Sequence, residues 1–324
     1  MKKIFQDILK ILNFKKVELS YRRIFFCENI YIYNYIKNYI DKKNSCVVSY
    51  GDLKIRKNNY IFFYNNFFLE FFFYVLKIKF FYSSTPSLGK NICKKSIFKN
   101  TKYIYLQHSP VGLINAYSDN AFQNFDVVQT INKYQVNDMI KLNEHYNKNI
   151  KIFRSKCNYL KNIYIKTFDK YDLLIAPTWD TNFYENDFFF NLVDELKKNN
   201  INYLLRPHPM SIKKKEIDLE LIKNKQINFD NSINLNLYPF KNLISDWSGI
   251  IFEFFYLKKR KPILIETKEK KVNKSNIFSE NISFEKIMRP KISTILKKNE
   301  IFKIIKILEH PEEDYNTEKY EIFF

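Results

Sequence analysis

Twice in its second half the chain runs from a short apolar segment through a helix-length segment to another short apolar segment. YDLLIAP (171–177), FFFNLVDELKKNN (188–200) and INYLLRPHP (201–209) form the first such run. NLIS (242–245), IIFEFFYLKKRK (250–261) and PILIE (262–266) form the second. Strand, helix, strand at these lengths is the β-α-β unit of a parallel sheet, and two units imply a doubly wound domain. The first half repeats the pattern more loosely, with strands in YIYLQHSP (103–110) and FDVVQT (125–130) and a helix in KYQVNDMIKLNEHY (133–146). FEKIM (284–288) and TILKKNEIFKIIKILEH (294–310) read as helical. A chain of 324 residues suits two domains. The expected fold is α/β, two Rossmann-like domains facing across a cleft, 1–165 and 166–324, with the boundary in 161–170 and the final helices packing back on the first domain.

In open α/β sheets ligands bind beyond the carboxyl ends of the strands. Here the strand candidates end in LQHSP, APTWD, RPHP and ISDWSG. RPHP supplies a fixed cation, Arg206, and an imidazole, His208, between Pro207 and Pro209, a pair suited to a phosphate or diphosphate. In SDWSG, Ser245, Asp246, Ser248 and Gly249 lead into a helix, where hydroxyls, free N–H groups and the positive dipole end bind anions. The simpler role for Ser245, Asp246 or Ser248 is the helix N-cap, and the two roles are compatible. His108 stands in the first half as His208 does in the second, and an imidazole there can take a proton from an attacking hydroxyl. Ser109, Thr178 and Trp179 are expected to line the substrate cleft. His145 and His310 read as surface or packing residues, and the acids of DLE (218–220) and EED (312–314) as solvated helix charges. No protein metal site or bound cofactor is expected. With four glycines the chain carries no G-x-G-x-x-G, Walker loop or G-x-S-x-G elbow.

A net charge of +20 calls for an anionic partner, although Lys, Asn, Ile, Tyr and Phe are inflated together, as in a low-GC coding sequence. Nucleic acid is the weaker reading: the aromatics fall within apolar runs and no recognition motif is evident. Cys27, Cys46, Cys93 and Cys157 have no metal-ligand spacing and read as reduced thiols, mostly buried, of a cytoplasmic protein without a signal peptide. The aromatic run 61–82 is interrupted by Asn65, Asn66, Glu70, Lys77 and Lys79, which argues against a membrane span. At the start of the chain Ile4, Phe5, Ile8, Leu9 and Leu12 share one helical face, with Lys2, Lys3, Lys10, Lys15 and Lys16 around them. That helix either packs on its own domain or lies on an anionic membrane surface.

In order, QHSPVGLINAYSDNAFQNFDVV, IAPTWD, LLRPHP, LISDWSGIIFEF and KPILI make the stretch 103–266 resemble the CDP-glycerol glycerophosphotransferase family, whose members build teichoic-acid-like and capsular polymers. The resemblance implies a GT-B-like fold with an acceptor-side first domain and a CDP-donor second domain. It implies transfer of an alditol phosphate from a CDP-alditol donor to a lipid-linked or polymeric anionic acceptor, at the inner face of the cell membrane, with release of CMP. His108 then matches the general base and His208 the histidine engaging the donor phosphates. Ser245, Asp246 and Ser248 match the family's loop implicated in donor binding, where the residue chemistry also sets Arg206 and Gly249, and Glu253 falls to the ribose, its other role being a first-turn charge favouring the helix dipole. The chain departs from the family pattern at HSPVGLINAY, which lacks a following Lys, at Gly249 in place of a common serine, and at Asp180 in place of a frequent arginine. A GT-B glycosyltransferase using a CMP- or UDP-sugar is the alternative within the enzymes, and a basic nucleic-acid-binding protein the alternative outside them.

Overall fold

The computed structural model describes residues 2–90, 93–155, 166–185, 187–232, 236–273, 282–310 and 315–323. They fall into two compact units, Met1–Ile163 with Asn273–Ser275 and Phe323–Phe324, and Tyr164–Val272 with Asn276–Ile322. Cys157 and the EED acids at 312–314 lie outside the described residues.

In the first unit seven parallel strands, β1 (Arg23–Cys27), β2 (Ser45–Tyr50), β3 (Tyr60–Phe63), β4 (Phe80–Ser83), β5 (Lys102–Tyr105), β6 (Val127–Thr130) and β7 (Lys151–Arg154), pair in the order β3-β2-β1-β4-β5-β6-β7. The second unit holds β8 (Tyr171–Ile175), β9 (Tyr203–Leu205), β10 (Phe240–Ser245), β11 (Ile263–Ile265) and β12 (Thr294–Leu296), also parallel, in the order β12-β11-β10-β8-β9. Each sheet reverses direction once, between β1 and β4 in the first and between β8 and β10 in the second. Such switch points open a crevice at the carboxyl ends of the strands.

The central strands are apolar on both faces because helices cover both sides, as parallel sheets require. Leu173, Ile175, Leu205, Ile244, Ile263 and Ile265 share one core cluster in the second unit. In the first, aromatics fill the same role, with Phe73 edge-on to both Phe26 at 5.7 Å and Phe81 at 5.1 Å. Glycine is scarce and asparagine abundant, so asparagine supplies the helix caps. Asn29, Asn65 and Asn132 each accept a backbone N–H at the start of a helix. Asn147 ends the helix Lys133–Tyr146 in the left-handed region, φ 49°.

One expectation needs correction. TIL at Thr294–Leu296 is not helical: it is the edge strand β12, paired with β11. The helices Phe284–Ile292 and Phe302–Glu309 around it belong to the second unit. The aromatic run 61–82 is no single element but the end of β3, the helix Asn66–Val75 and most of β4. Among the described residues no helix is long and apolar enough to cross a membrane.

The helix Lys2–Leu12 packs the opposite way from an ordinary surface helix. Its only buried residue is Asp7, while Phe5 and Leu12 on the apolar face stand 62% and 70% exposed. The Asp7 carboxylate accepts the N–H of Tyr64 at 3.0 Å and of Asn65 at 2.8 Å, and pairs with Lys10 Nζ at 3.2 Å. This polar anchor fixes the helix beside Asn66–Val75. Asp7→Ala strands those buried donors and is expected to cost roughly 2–4 kcal/mol in urea unfolding. A change under about 0.5 kcal/mol, the level of an ordinary surface substitution, would show that the anchor is not what holds the helix.

Candidate active site

In the second unit the loops after β8, β9, β10 and β11 converge at the switch point. Asp246, the first residue after β10, is fully buried. Its carboxylate accepts the Thr178 N–H at 2.8 Å, the Thr181 hydroxyl at 2.5 Å and the Trp247 N–H. Ser245 Oγ, equally buried, donates to the Ala176 carbonyl at 2.7 Å. Both side chains therefore tie the end of β10 to the loop of β8. Burial raises the Asp246 pKa above the usual carboxylate range, against the lowering effect of its hydrogen bonds.

The helix Ile250–Lys258 follows, with Gly249 as its N-cap at φ −61° and ψ −20°. No side chain caps this helix, so the N-cap role open to Ser245, Asp246 or Ser248 falls to none of them. At the start of the helix Ile251 N–H donates to the Ser248 carbonyl at 3.3 Å and Phe252 N–H to the Gly249 carbonyl at 3.2 Å. Ser248 and Gly249 are half-buried, beside a helix N-terminus whose dipole favours an anion. Gly249 has an ordinary right-handed φ, so any use of this glycine lies in its lack of a side chain rather than in its backbone freedom. Glu253 is buried in the first turn of the same helix.

His208 is the N-cap of the helix Pro209–Lys213, and its Nδ1 accepts the Met210 N–H at 3.0 Å. A nitrogen that accepts from an amide carries no proton, so in the neutral ring the proton sits on Nε2. Burial, then the charges of Lys270 and Arg206, push the His208 pKa down to about 4. At neutral pH His208 is thus an uncharged hydrogen-bond donor in a field of positive charge. Arg206 pairs with Asp230 at 3.7 Å.

Lys270 was not expected from the sequence, where it sits in the charge run KEKK. Its ammonium donates to Thr178 Oγ1 at 3.0 Å and lies 4.7 Å from the Trp179 ring, and burial lowers its pKa. Lys214 approaches the same ring at 4.0 Å, and the His208 imidazole lies 6.4 Å from that ring. Trp179 thereby gathers cationic and donor groups. Asp180 follows in the left-handed region, pairing with Lys268 at 3.7 Å.

In the first unit His108 follows β5. Its N–H donates to Gln107 Oε1 at 2.9 Å, and its ring lies 5.6 Å from that of Tyr35. The helix Lys133–Tyr146 holds this loop: Gln135 Nε2 donates to the carbonyls of Ser109 at 2.9 Å and Val111 at 2.8 Å. His108 Nδ1 is buried without a hydrogen-bond partner among the described residues, and burial pushes its pKa down to about 4. The ring is neutral, and no carboxylate on Nδ1 fixes its tautomer. Two of the groups read from the sequence as surface, packing or helix charges have structural partners. His145 pairs with Asp119 at 3.2 Å, and Asp218 caps the helix Leu219–Asn224. Among the described residues no three His, Cys, Asp or Glu gather as metal ligands would.

A family model described as CDP-Glycerol:Poly(glycerophosphate) glycerophosphotransferase matches residues 146–323. Among solved structures, the wall teichoic acid polymerase TagF superposes with a TM-score of 0.57 at 15% identity, over 98% of this chain and 90% of that one. A variant of that polymerase soaked with CDPG for 15 minutes gives 0.56 at 15% identity, over 98% and 91%. A protein described as a UDP-N-acetylglucosamine 2-epimerase from Listeria monocytogenes gives 0.51 at 10% identity, over 94% and 91%. These likenesses establish the fold class, GT-B-like with two Rossmann-type units. A comparison with curated proteins finds no match.

His108 and His208 both titrate near 4 in the folded chain against an ordinary 6.5. Between those values these two groups bind more protons in the unfolded chain than in the folded one, so their contribution to stability falls as pH drops from 6.5 towards 4. Asp246 and Asp138, whose pKa values burial raises, act in the opposite direction and are common to the parent and the variant below. Carboxylates held low by partners, such as Asp172 beside Lys241, act only below that window. Urea midpoints are expected to fall between pH 7 and pH 5 in the parent and to fall less when both histidines are Asn. Equal slopes would contradict the buried neutral assignment.

Proposed function

The chain belongs to the CDP-glycerol:poly(glycerophosphate) glycerophosphotransferase family, and from that premise we propose that it moves glycerol phosphate, or a similar alditol phosphate, from a CDP-activated donor to a hydroxyl of a lipid-linked or polymeric acceptor. The product is a cell-surface polymer of the teichoic-acid or capsule kind, with CMP released. The observation that carries this reading is His208, a neutral imidazole whose Nε2–H is fixed as a donor in the loop after β9, at the same end of the parallel sheet as the uncapped helix N-terminus after β10.

The acceptor oxygen attacks the β-phosphorus of the donor and gives its proton to neutral His108. The bond from that phosphorus to the bridging oxygen breaks, and its electrons leave with CMP. His208 Nε2–H, Lys270 and the N–H groups at Ser248 and Gly249 offer positive potential to the phosphate oxygens as that charge develops. A phosphate anion at His208 offsets the charges of Lys270 and Arg206 that depress its pKa, so Nε2 keeps its proton and stays a hydrogen-bond donor to the phosphate oxygens. Ser245 and Asp246 serve by holding the loops, since their side chains are already bonded within the fold.

The acceptor is held at a membrane surface. The exposed apolar face of Lys2–Leu12 continues onto Phe67, 71% exposed, and Phe71 in the adjacent helix, with Lys2, Lys3, Lys15 and Lys16 exposed around it. An apolar face rimmed by lysines fits an anionic bilayer, which supports a peripheral enzyme at the inner face of the membrane.

Purified protein is expected to release CMP from CDP-glycerol in the presence of a glycerol-phosphate acceptor, and His108→Ala or His208→Ala to slow release by about 10²–10⁴-fold. Release of UDP or UMP from a donor panel, with CDP-alditols inert, would replace this reading by a sugar transferase. In co-sedimentation, binding to vesicles containing phosphatidylglycerol is expected to exceed binding to phosphatidylcholine alone, and Phe5→Asp with Leu12→Asp to reduce it at least about tenfold. Unchanged binding of that double variant would rule out this face.

A further inference from the structure

Arg289 lies in the helix Phe284–Ile292 of the second unit and is 6% exposed. Its guanidinium is stacked on the Trp247 ring, Cζ 3.7 Å from the centroid. Trp247 belongs to the SDWSG loop, and its Nε1–H donates to the Thr267 carbonyl at 3.3 Å. Phe284 packs on Phe252 of the helix Ile250–Lys258 at 4.9 Å, which fixes the Arg289 helix against that loop. The plane of the guanidinium is therefore set by its stack.

Stacking uses only the face of the group. Along its edge, Nε and Nη2 are both buried with no hydrogen-bond partner among the described residues. These two N–H groups point the same way and form the side-on fork with which arginine grips two oxygens of one anion. Leaving a buried charged donor unmet is costly, and here two adjacent ones are unmet together. Asp246, Glu266, Glu269 and Glu285 stand near enough to sustain the charge, yet none bonds to Nε or Nη2. Arg289 and Lys270 both feel the Asp246 carboxylate, which places the fork with the donor groups at the carboxyl ends of β8 and β10.

We propose that the Nε/Nη2 fork of Arg289 is a binding site for a phosphoryl group, gripping two of its oxygens beside the SDWSG loop. The inference rests on the phosphotransferase reading for the source of that group, either the diphosphate of the donor or a phosphodiester of the acceptor. The chemistry of the grip is the same for both.

The test is titration calorimetry of the full chain, parent, Arg289→Lys and Arg289→Gln, with inorganic pyrophosphate, CDP-glycerol and a glycerol-phosphate oligomer. Each titration is run below the melting transition of the variant, so that lost stability is not read as lost binding. Lysine keeps the charge and loses the fork. Both variants are expected to weaken at least one phosphate ligand about tenfold or more, and Arg289→Gln, which removes the unmet buried charge, to melt at or above the parent. A loss for CDP-glycerol and pyrophosphate assigns the fork to the donor, and a loss for the oligomer alone assigns it to the acceptor. Arg289-dependent pyrophosphate binding by a parent that ignores CDP-glycerol upholds the fork and removes the donor reading. Full affinity of Arg289→Lys for every ligand the parent binds overturns the fork and leaves the donor reading standing. Failure of the parent to bind any of the three overturns both.

Discussion

The Asp246 carboxylate is the point on which the second unit depends. It sits, fully buried, where the sheet reverses direction between β8 and β10, and it takes the Thr178 N–H, the Thr181 hydroxyl and the Trp247 N–H. Those bonds hold the β8 loop, with Trp179, against the β10 loop, with Trp247. Trp179 in turn collects Lys214 and Lys270, and Trp247 supports Arg289. One buried acid thus organises the cations around it. Its burial is tolerable because each oxygen has a donor.

The two histidines differ in a way that sets their roles. His208 has one nitrogen committed to the Met210 N–H, which leaves Nε2–H as a donor. His108 Nδ1 has no such commitment among the described residues, and the ring stays neutral through burial alone. A neutral, uncommitted imidazole can accept a proton, whereas one already accepting from the backbone offers a proton instead. The distinction comes from local backbone geometry: Pro209 opens a short helix directly after His208, and that helix presents the Met210 amide to the ring.

The alternation of strand and helix was legible from about residue 103 onward because charge separates the elements there, as in FFFNLVDELKKNN between YDLLIAP and INYLLRPHP. It was not legible before that, because Phe and Tyr fill strand and helix alike from β3 to β4 and erase both periodicities. β12 was missed because three residues beside a proline-containing helix carry too little pattern. At the site, the identities of His108, His208 and the SDWSG loop could be read, but not the direction of their side chains. Ser245 and Asp246 look like ligand-binding groups in a sequence and are claimed by β8 in the fold. Nothing in the sequence distinguishes Lys270 and Arg289 from the many other basic residues, and only burial sets them apart.

Where the donor diphosphate binds decides the role of His208. A crystal structure of the full chain soaked with CDP-glycerol is the direct measurement. It is predicted to place a phosphate oxygen within hydrogen-bond distance of His208 Nε2, at the N-terminus of Ile250–Lys258. A diphosphate bound away from the carboxyl ends of β8, β9 and β10, with His208 Nε2 untouched, would contradict it.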